Sequence, residues 1–327
     1  MSNIPLVLPL RANEAAAVAD LLYQQLEGKA LTADARNRFA ARLPQLALET
    51  FTPFAGSLAR DPIHPSTYYL VVDTESASML LRIALASSPG SGLFPGAMLI
   101  GRMRPGGGRE IVINAVPFHF SDRENVRTFV EQVDPAFLPR AQGPLSAIVV
   151  EGGDFDSAFR GFRAILRATG LNLAAIAGDY DAALWSAIRA GWREGWNAQT
   201  SDLSAGEYTK FSVDGTLEQM ADAYDRIQCV RAGRVFDFEI AVREDAAEAL
   251  EWMRSRGKLV QFIRVGAEAS ALAGVARQFN AILSFEGATG TQLEQIGIAT
   301  GGRFHYKMRG GEEDVRLAAS CLLGRSV

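Results

Sequence analysis

The chain has 327 residues, 48% of them hydrophobic and 21% charged, with a formal net charge of −4. That length can bury one large core and a smaller one, and the balance is that of an ordinary globular protein. The mild negative charge, with no Lys/Arg run and no basic patch interleaved with aromatics, argues against a nucleic acid or an anionic membrane as partner.

The N-terminal MSNIPLVLPL has neither a basic leader nor a small-residue cleavage site, and no apolar stretch reaches the length of a membrane span, so a cytoplasmic location is expected. Two helical patterns follow, near 12–27 and 33–48, the second with Thr32 as its N-cap. STYYLVVDT (66–74) is a β-branched and aromatic run that predicts a strand. SASMLLRIALAS (76–87) is apolar enough for a helix, SSPGSGLFPG (87–96) is loop, and GAMLIGRM (96–103) predicts another strand. Residues 1–105 are therefore expected to form a small α+β domain, with Pro105 and the glycines after it marking its end.

From 106 to 327 the pattern changes to short strands that end in polar residues and alternate with helices. The strands are VINAVPFHF (112–120), AIVVEGGD (147–154), LAAIAGDY (173–180), YTKFSVDG (208–215), VFDFEIAVRE (235–244), LVQFIRVG (259–266), ILSFEG (282–287) and RFHYKMRGG (303–311). Helix starts are marked by Ser121 with Glu124 and by Thr216, and Gly257 supplies a stop. The fold class that follows is α/β, a (β/α)8 TIM barrel behind a small α+β domain. An open doubly wound sheet fits less well, because polar residues also alternate within the strands. Lys210, Ser212 and Asp214 share one parity, as do Asp237, Glu239 and Arg243, and His305, Lys307 and Arg309. The outer face of a barrel strand must meet helices, so this parity is expected to point into the lumen. Cys229 and Cys321 fall in helical patterns and are expected to be buried structural thiols.

Catalytic groups in such barrels sit at the C-terminal strand ends. The inward carboxylates there are Glu151, Asp179, Asp181, Asp214, Glu239 and Glu286, and the basic members are Lys210, Arg243, Arg264, His305, Lys307 and Arg309. So many ionisable groups must pair, bind a metal or face a wet pocket, because burying a lone charge is costly. With only His64, His119 and His305 in the chain, a His-rich zinc site is excluded. A carboxylate-rich metal site remains, and Glu239, Glu286, His305 and Asp179 are its expected ligands, for Mn2+, Mg2+ or Zn2+. Gly287 to Thr291, and Arg309 with Gly310 and Gly311, form glycine-rich loops after the last two strands, where an anionic substrate group is expected. Glu312, Glu313 and Asp314 open the final helix and argue against a phosphate there.

The stretches FDFEIAVRED (236–245), SRGKLVQFIRVG (255–266), NAILSFEGATG (280–290) and GGRFHYKMRGGEEDVRLAA (301–319) resemble the tagaturonate/fructuronate epimerase family, over roughly the last ~140 residues. The resemblance implies a barrel enzyme that uses a divalent metal on a keto-hexuronate, with Glu239, Arg264, His305 and Lys307 at matching positions. It departs where the family's histidine stands as Glu286 and where its strand aspartate stands as Arg243.

The leading expectation is a carbohydrate-active epimerase, isomerase or retro-aldol lyase acting on a hexuronate-like sugar acid or its phosphate, with metal assistance. Glu239 and Glu286 are its expected bases or ligands, Lys210, Lys307 and Arg264 its anion stabilisers, and His305 a ligand or proton shuttle. Arg309, Gly310, Gly311, Asp214 and Glu151 complete the expected substrate site. Two alternatives stand beside it. One is a catalytically degenerate barrel that binds a sugar acid or serves as a structural partner; the other is a Schiff-base aldolase through Lys210 or Lys307. A homo-oligomer is compatible with all three.

Overall fold

The computed structural model describes residues 51–53, 59–60, 66–73, 78–85, 98–103, 111–118, 127, 130–131, 135–241, 246–266 and 272–327. The expected helices at 12–27 and 33–48, the loop at 87–96, the Ser121 cap, His64, His119 and Arg243 lie outside these residues. The chain divides into two compact units, 1–137 with 188–191, and 138–187 with 192–327.

The first unit contains an antiparallel sheet of six strands among the described residues: β1 (Phe51–Pro53), β2 (Ala59–Arg60), β3 (Ser66–Asp73), β4 (Ser78–Leu85), β5 (Met98–Met103) and β6 (Ile111–Phe118). Their order is β1-β3-β4-β6-β5, with β2 on β3. Two expectations are corrected here. Ser78–Leu85 is a strand, not a helix. Its Leu, Met and Ala favour a helix locally, but β3 and β6 pair with it on both sides, and that long-range ladder overrides local preference. The strand expected first in the barrel, at 112–120, is β6 of this sheet. The expected boundary at 105/106 therefore falls before the sheet's last strand.

The second unit is a closed barrel of eight parallel strands with helices between them. Its elements in order are β7 (Ala147–Glu151), α1 (Phe155–Thr169), β8 (Ala174–Ala177), α2 (Tyr180–Ala190), β9 (Asn197–Thr200), β10 (Lys210–Val213), α3 (Leu217–Val230), β11 (Asp237–Ala241), α4 (Ala246–Ser255), β12 (Phe262–Arg264), α5 (Ala273–Gln278), β13 (Ile282–Glu286), α6 (Gly290–Thr300), β14 (His305–Met308) and α7 (Glu312–Leu323). β9 is absent from the expected set. It runs directly into β10 through residues 201–209 with no helix between, so the periodic strand–helix signal does not announce it.

The helices form for legible reasons. In α1 the buried Phe155, Ala158, Phe159, Phe162 and Ile165 recur at helical spacing along one stripe. Asp154 accepts a hydrogen bond from the Ser157 N–H at its start, and Gly170 ends it in the left-handed conformation. The Thr216 cap of α3 is closed by Gln219, whose Oε1 accepts from the Thr216 N–H at 2.8 Å. α6 and α7 approach so closely at Gly297 that a Cβ there would lie 2.3 Å from the Leu322 carbonyl oxygen. Phe159 packs against Trp192 and Trp196, both fully buried, at centroid distances of 5.8 and 6.0 Å.

Strand register sets the lumen. Lys210 and Ser212 stand beside Asp237 and Glu239, and Ser284 and Glu286 beside His305 and Lys307. The opposite parity, Phe211, Phe238 and Ile240, is buried and apolar, as the barrel argument requires. One side of the lumen is lined by small residues, Ala147, Val149, Ala175 and Ala177. That leaves room for the long polar side chains of β10, β11 and β14.

Candidate functional site

The polar lumen is built in layers. At the bottom, Asp237 is fully buried and accepts from the backbone N–H groups of Gln142 and Gly143, both at 2.9 Å, and from Asn197 Nδ2 at 2.6 Å. Burial pushes its carboxyl above the ordinary value in spite of these donors.

In the middle, Lys210 Nζ lies 2.6 Å from Glu239 Oε2 and 2.8 Å from His305 Nδ1, and 4.0 Å from the centroid of the Phe262 ring. Glu239 Oε1 accepts from Ser212 Oγ and, at 3.5 Å, from Gln199 Nε2. Burial works against the Glu239 carboxylate, but the charge of Lys210 and the hydrogen bonds from Lys210, Ser212 and Ser284 outweigh it and hold its pKa below the ordinary value. Burial depresses the Lys210 ammonium, and Glu239 offsets only part of that. Burial first, then Lys210, hold His305 far below its ordinary value, so its ring is neutral.

At the top the layer opens. Lys307 Nζ is 2.7 Å from Glu151 Oε1, and Arg309, largely exposed, is 3.5 Å from the other oxygen. The Lys307 hydrogen bond is the main cause of a lowered Glu151 pKa. Arg264 is 3.4 Å from Asp214. A cavity of about 270 Å3 lies here, and Gln199, Ser212, Glu239 and Ser284 are among its lining residues, together with Arg264, Glu286 and Lys307. A second cavity, of about 570 Å3, shares Glu151, Glu286 and Lys307 with the first and continues past Arg309, Leu293 and Leu317.

The structure thus brings together Glu239, Lys210 and His305 in the middle layer, and Glu151, Arg264, Asp214, Glu286 and Lys307 at the mouth. Glu286 is exposed and makes no hydrogen bond or ion pair among the described residues. Lys210 lines neither cavity, and its ammonium is already committed on three sides.

Other expected positions lie elsewhere. Asp179 is an exposed cap of α2, accepting from the N–H groups of Asp181 and Ala182. Gly310 and Gly311 line neither cavity, and the Gly311 N–H, expected to be free for an anion, donates to Asp314 Oδ2 at 3.0 Å. The helix meets its own dipole there, leaving no bare N-terminal anion site. The four expected metal ligands do not converge, and no group of three or more His, Cys, Asp or Glu that could hold an ion occurs among the described residues. These residues do not fit a metal centre. Cys229 is exposed and Cys321 half-buried, which corrects the expectation of two buried thiols.

Gln199 and Ser284 are site residues that the sequence does not single out, and Ser212, expected in the lumen by its parity, is given no role there. Ser284 shares the parity of Glu286, so alternation could have found it. Gln199 sits on β9, whose four residues NAQT carry no apolar run. Its Nε2 faces Ser212 and Glu239, and its Oε1 is buried with no hydrogen-bond partner.

No family model matches the sequence, and no curated protein sequence matches it. Solved structures do match. The glycerol-complexed crystal structure of fructuronate-tagaturonate epimerase UxaE from Cohnella laeviribosi aligns with a TM-score of 0.56 at 15% identity, over 83% of this chain and 75% of that chain. The native crystal structure of the same protein aligns with a TM-score of 0.56 at 15% identity, over 83% and 74%. At this identity the match establishes the barrel fold. No helix among the described residues is long and apolar enough to cross a membrane.

Proposed function

We propose that the chain is a carbohydrate-active barrel enzyme that epimerises or isomerises a sugar acid held in the cavity at the strand ends. The observation that carries this reading is the composition of that cavity. Two cations, Arg264 and Lys307, stand at its mouth, above a floor of hydroxyl, amide and carboxylate groups from Ser212, Ser284, Gln199 and Glu239. A carboxylate head with several hydroxyls is the ligand that such a surface complements. The structural likeness to a fructuronate-tagaturonate epimerase supports the same substrate class.

Glu239 is a poor base, because both of its oxygens already accept hydrogen bonds and its charged form is favoured. Its role is to accept from a sugar hydroxyl and to fix the floor. Glu286, exposed on the cavity wall, is the general base. Its carboxylate removes the proton from a carbon next to the substrate carbonyl. The electron pair moves to the carbonyl oxygen, where Lys307 or Arg264 stabilises the enolate; water in the cavity gives a proton to the opposite face, and Glu286 returns its own proton to solvent.

The test is solvent-deuterium exchange followed by NMR, with keto-hexuronates in D2O. The reading expects deuterium at the carbon next to the carbonyl with the wild-type protein and none with Glu286→Gln. Turnover without deuterium incorporation would replace proton abstraction by a retro-aldol route. Absence of binding by any sugar acid would remove the substrate class.

A further inference from the structure

We infer that the ammonium of Lys210 is the built-in cation of this barrel: it fills the position between Glu239 and His305 that a divalent ion would need, so the lumen works without a metal held there. The inference does not depend on the identity of the substrate. Its basis is the way the ammonium is used. Lys210 has three N–H donors. One meets Glu239 Oε2 at 2.6 Å, one meets His305 Nδ1 at 2.8 Å, and the ammonium lies 4.0 Å from the centre of the Phe262 ring. The side chain is fully buried, as are both polar partners to within about one per cent.

A metal bound to Glu239 and His305 would need the carboxylate oxygen and the imidazole lone pair that Lys210 now holds, at about 2.0–2.2 Å. It would also have to share the enclosed space with a positive charge, or expel Lys210 from a layer that closes around it. Strand position explains why the lysine is so well placed. It comes from β10, next to the β11 strand that carries Glu239, and reaches across the lumen to His305 on β14. The arrangement has a chemical consequence for His305. A ring nitrogen that accepts from an ammonium cannot also carry a proton, so Nδ1 is bare and the proton sits on Nε2.

Two measurements on the whole protein test this. The first is metal content by plasma mass spectrometry, on protein purified without an affinity metal and then equilibrated with Mn2+, Mg2+ or Zn2+. The expected result is well under one equivalent of each, or metal that is retained unchanged by Glu239→Gln and His305→Asn and so lies outside the lumen. One equivalent in the wild type that is lost in either variant overturns the inference.

The second is the long-range 15N–1H spectrum of the histidines. The chain has only three, and His305→Asn assigns the relevant one. The expected pattern is a neutral ring with Nε2 protonated, unchanged by Zn2+ or by a chelator, and converted to a mixture of tautomers in Lys210→Met. A purely space-filling lysine would leave the tautomer of Lys210→Met unmoved, and a Zn2+-dependent shift at Nδ1 overturns the inference directly. If Lys210→Met does not fold, the wild-type metal content and His305 spectrum decide the matter.

Discussion

Asn197 and Asp237 face each other across the bottom of the barrel at 2.6 Å, and the same carboxylate holds the backbone N–H groups of Gln142 and Gly143. The chain segment that enters β7 is thereby tied to β11, far away in sequence. Asp237→Ala leaves the buried Asn197 amide and two half-buried backbone N–H groups without their acceptor, and a loss of about 3 kcal/mol is expected. Urea unfolding at neutral pH checks it, and Asn197→Ala, which strips only one donor, should cost clearly less.

The Lys210–Glu239 pair calls for a double-mutant cycle. Lys210→Met strands a buried carboxylate and is expected to cost about 3–5 kcal/mol, as is Glu239→Leu for the ammonium. The double variant should recover a large part of that loss, because neither charge is left alone. Simple additivity in unfolding free energy would mean that the two groups are independently solvated.

His305 gives the protein a defined acid sensitivity. Its neutral ring in the fold resists protonation, whereas in the unfolded chain it takes a proton below its ordinary value of 6.5. The unfolded state then binds more protons, so stability is complete above that value and falls as pH drops through it. The expected slope is at most about 1.4 kcal/mol per pH unit from this group. His305→Asn should flatten the dependence of the urea midpoint between pH 6.5 and the onset of carboxylate titration, and an unchanged profile would assign the sensitivity elsewhere.

At the mouth, Arg264→Ala and Lys307→Ala are each expected to weaken binding of a sugar acid about 10- to 100-fold by calorimetry. Glu286→Gln should leave binding close to wild type and lower turnover about 10²- to 10⁴-fold. Borohydride treatment in the presence of a keto acid should add no mass. Lys210 is enclosed and committed to Glu239 and His305, and Lys307 is ion-paired with Glu151. A reduced adduct on Lys307 would instead favour an aldolase.

Much of this site is written in alternation. Lys210, Glu239, His305 and Lys307 share the inward parity that their strands display, because a barrel wall has an apolar outside that only the other parity can satisfy. What alternation does not carry is depth. Glu239 and Glu286 look alike in sequence, yet one is buried in a hydrogen-bonded layer at the cavity floor and the other stands exposed at the rim. That difference depends on strand length and on which neighbours are small, as Ala175 and Ala177 are. Strand partners are equally silent: β6 has the texture of a barrel strand, and only its ladder with β4 and β5 assigns it elsewhere. Asp179 failed for a local reason, since a carboxylate at a strand end is also an apt helix cap.

The direct passage from β9 to β10 bears on the order in which the barrel assembles. Ala198 and Thr209, hydrogen-bonded across it, are 11 residues apart, whereas Ser146 and Gly302, which join β7 to the entry of β14, are 156 apart. Closing the short span costs far less chain entropy than closing the long one. The wall is therefore expected to nucleate at its helix-free seam and to seal last at the β14–β7 junction. Folding kinetics of Phe211→Leu and Ile148→Val would report the sequence, with the first slowing folding and the second chiefly speeding unfolding.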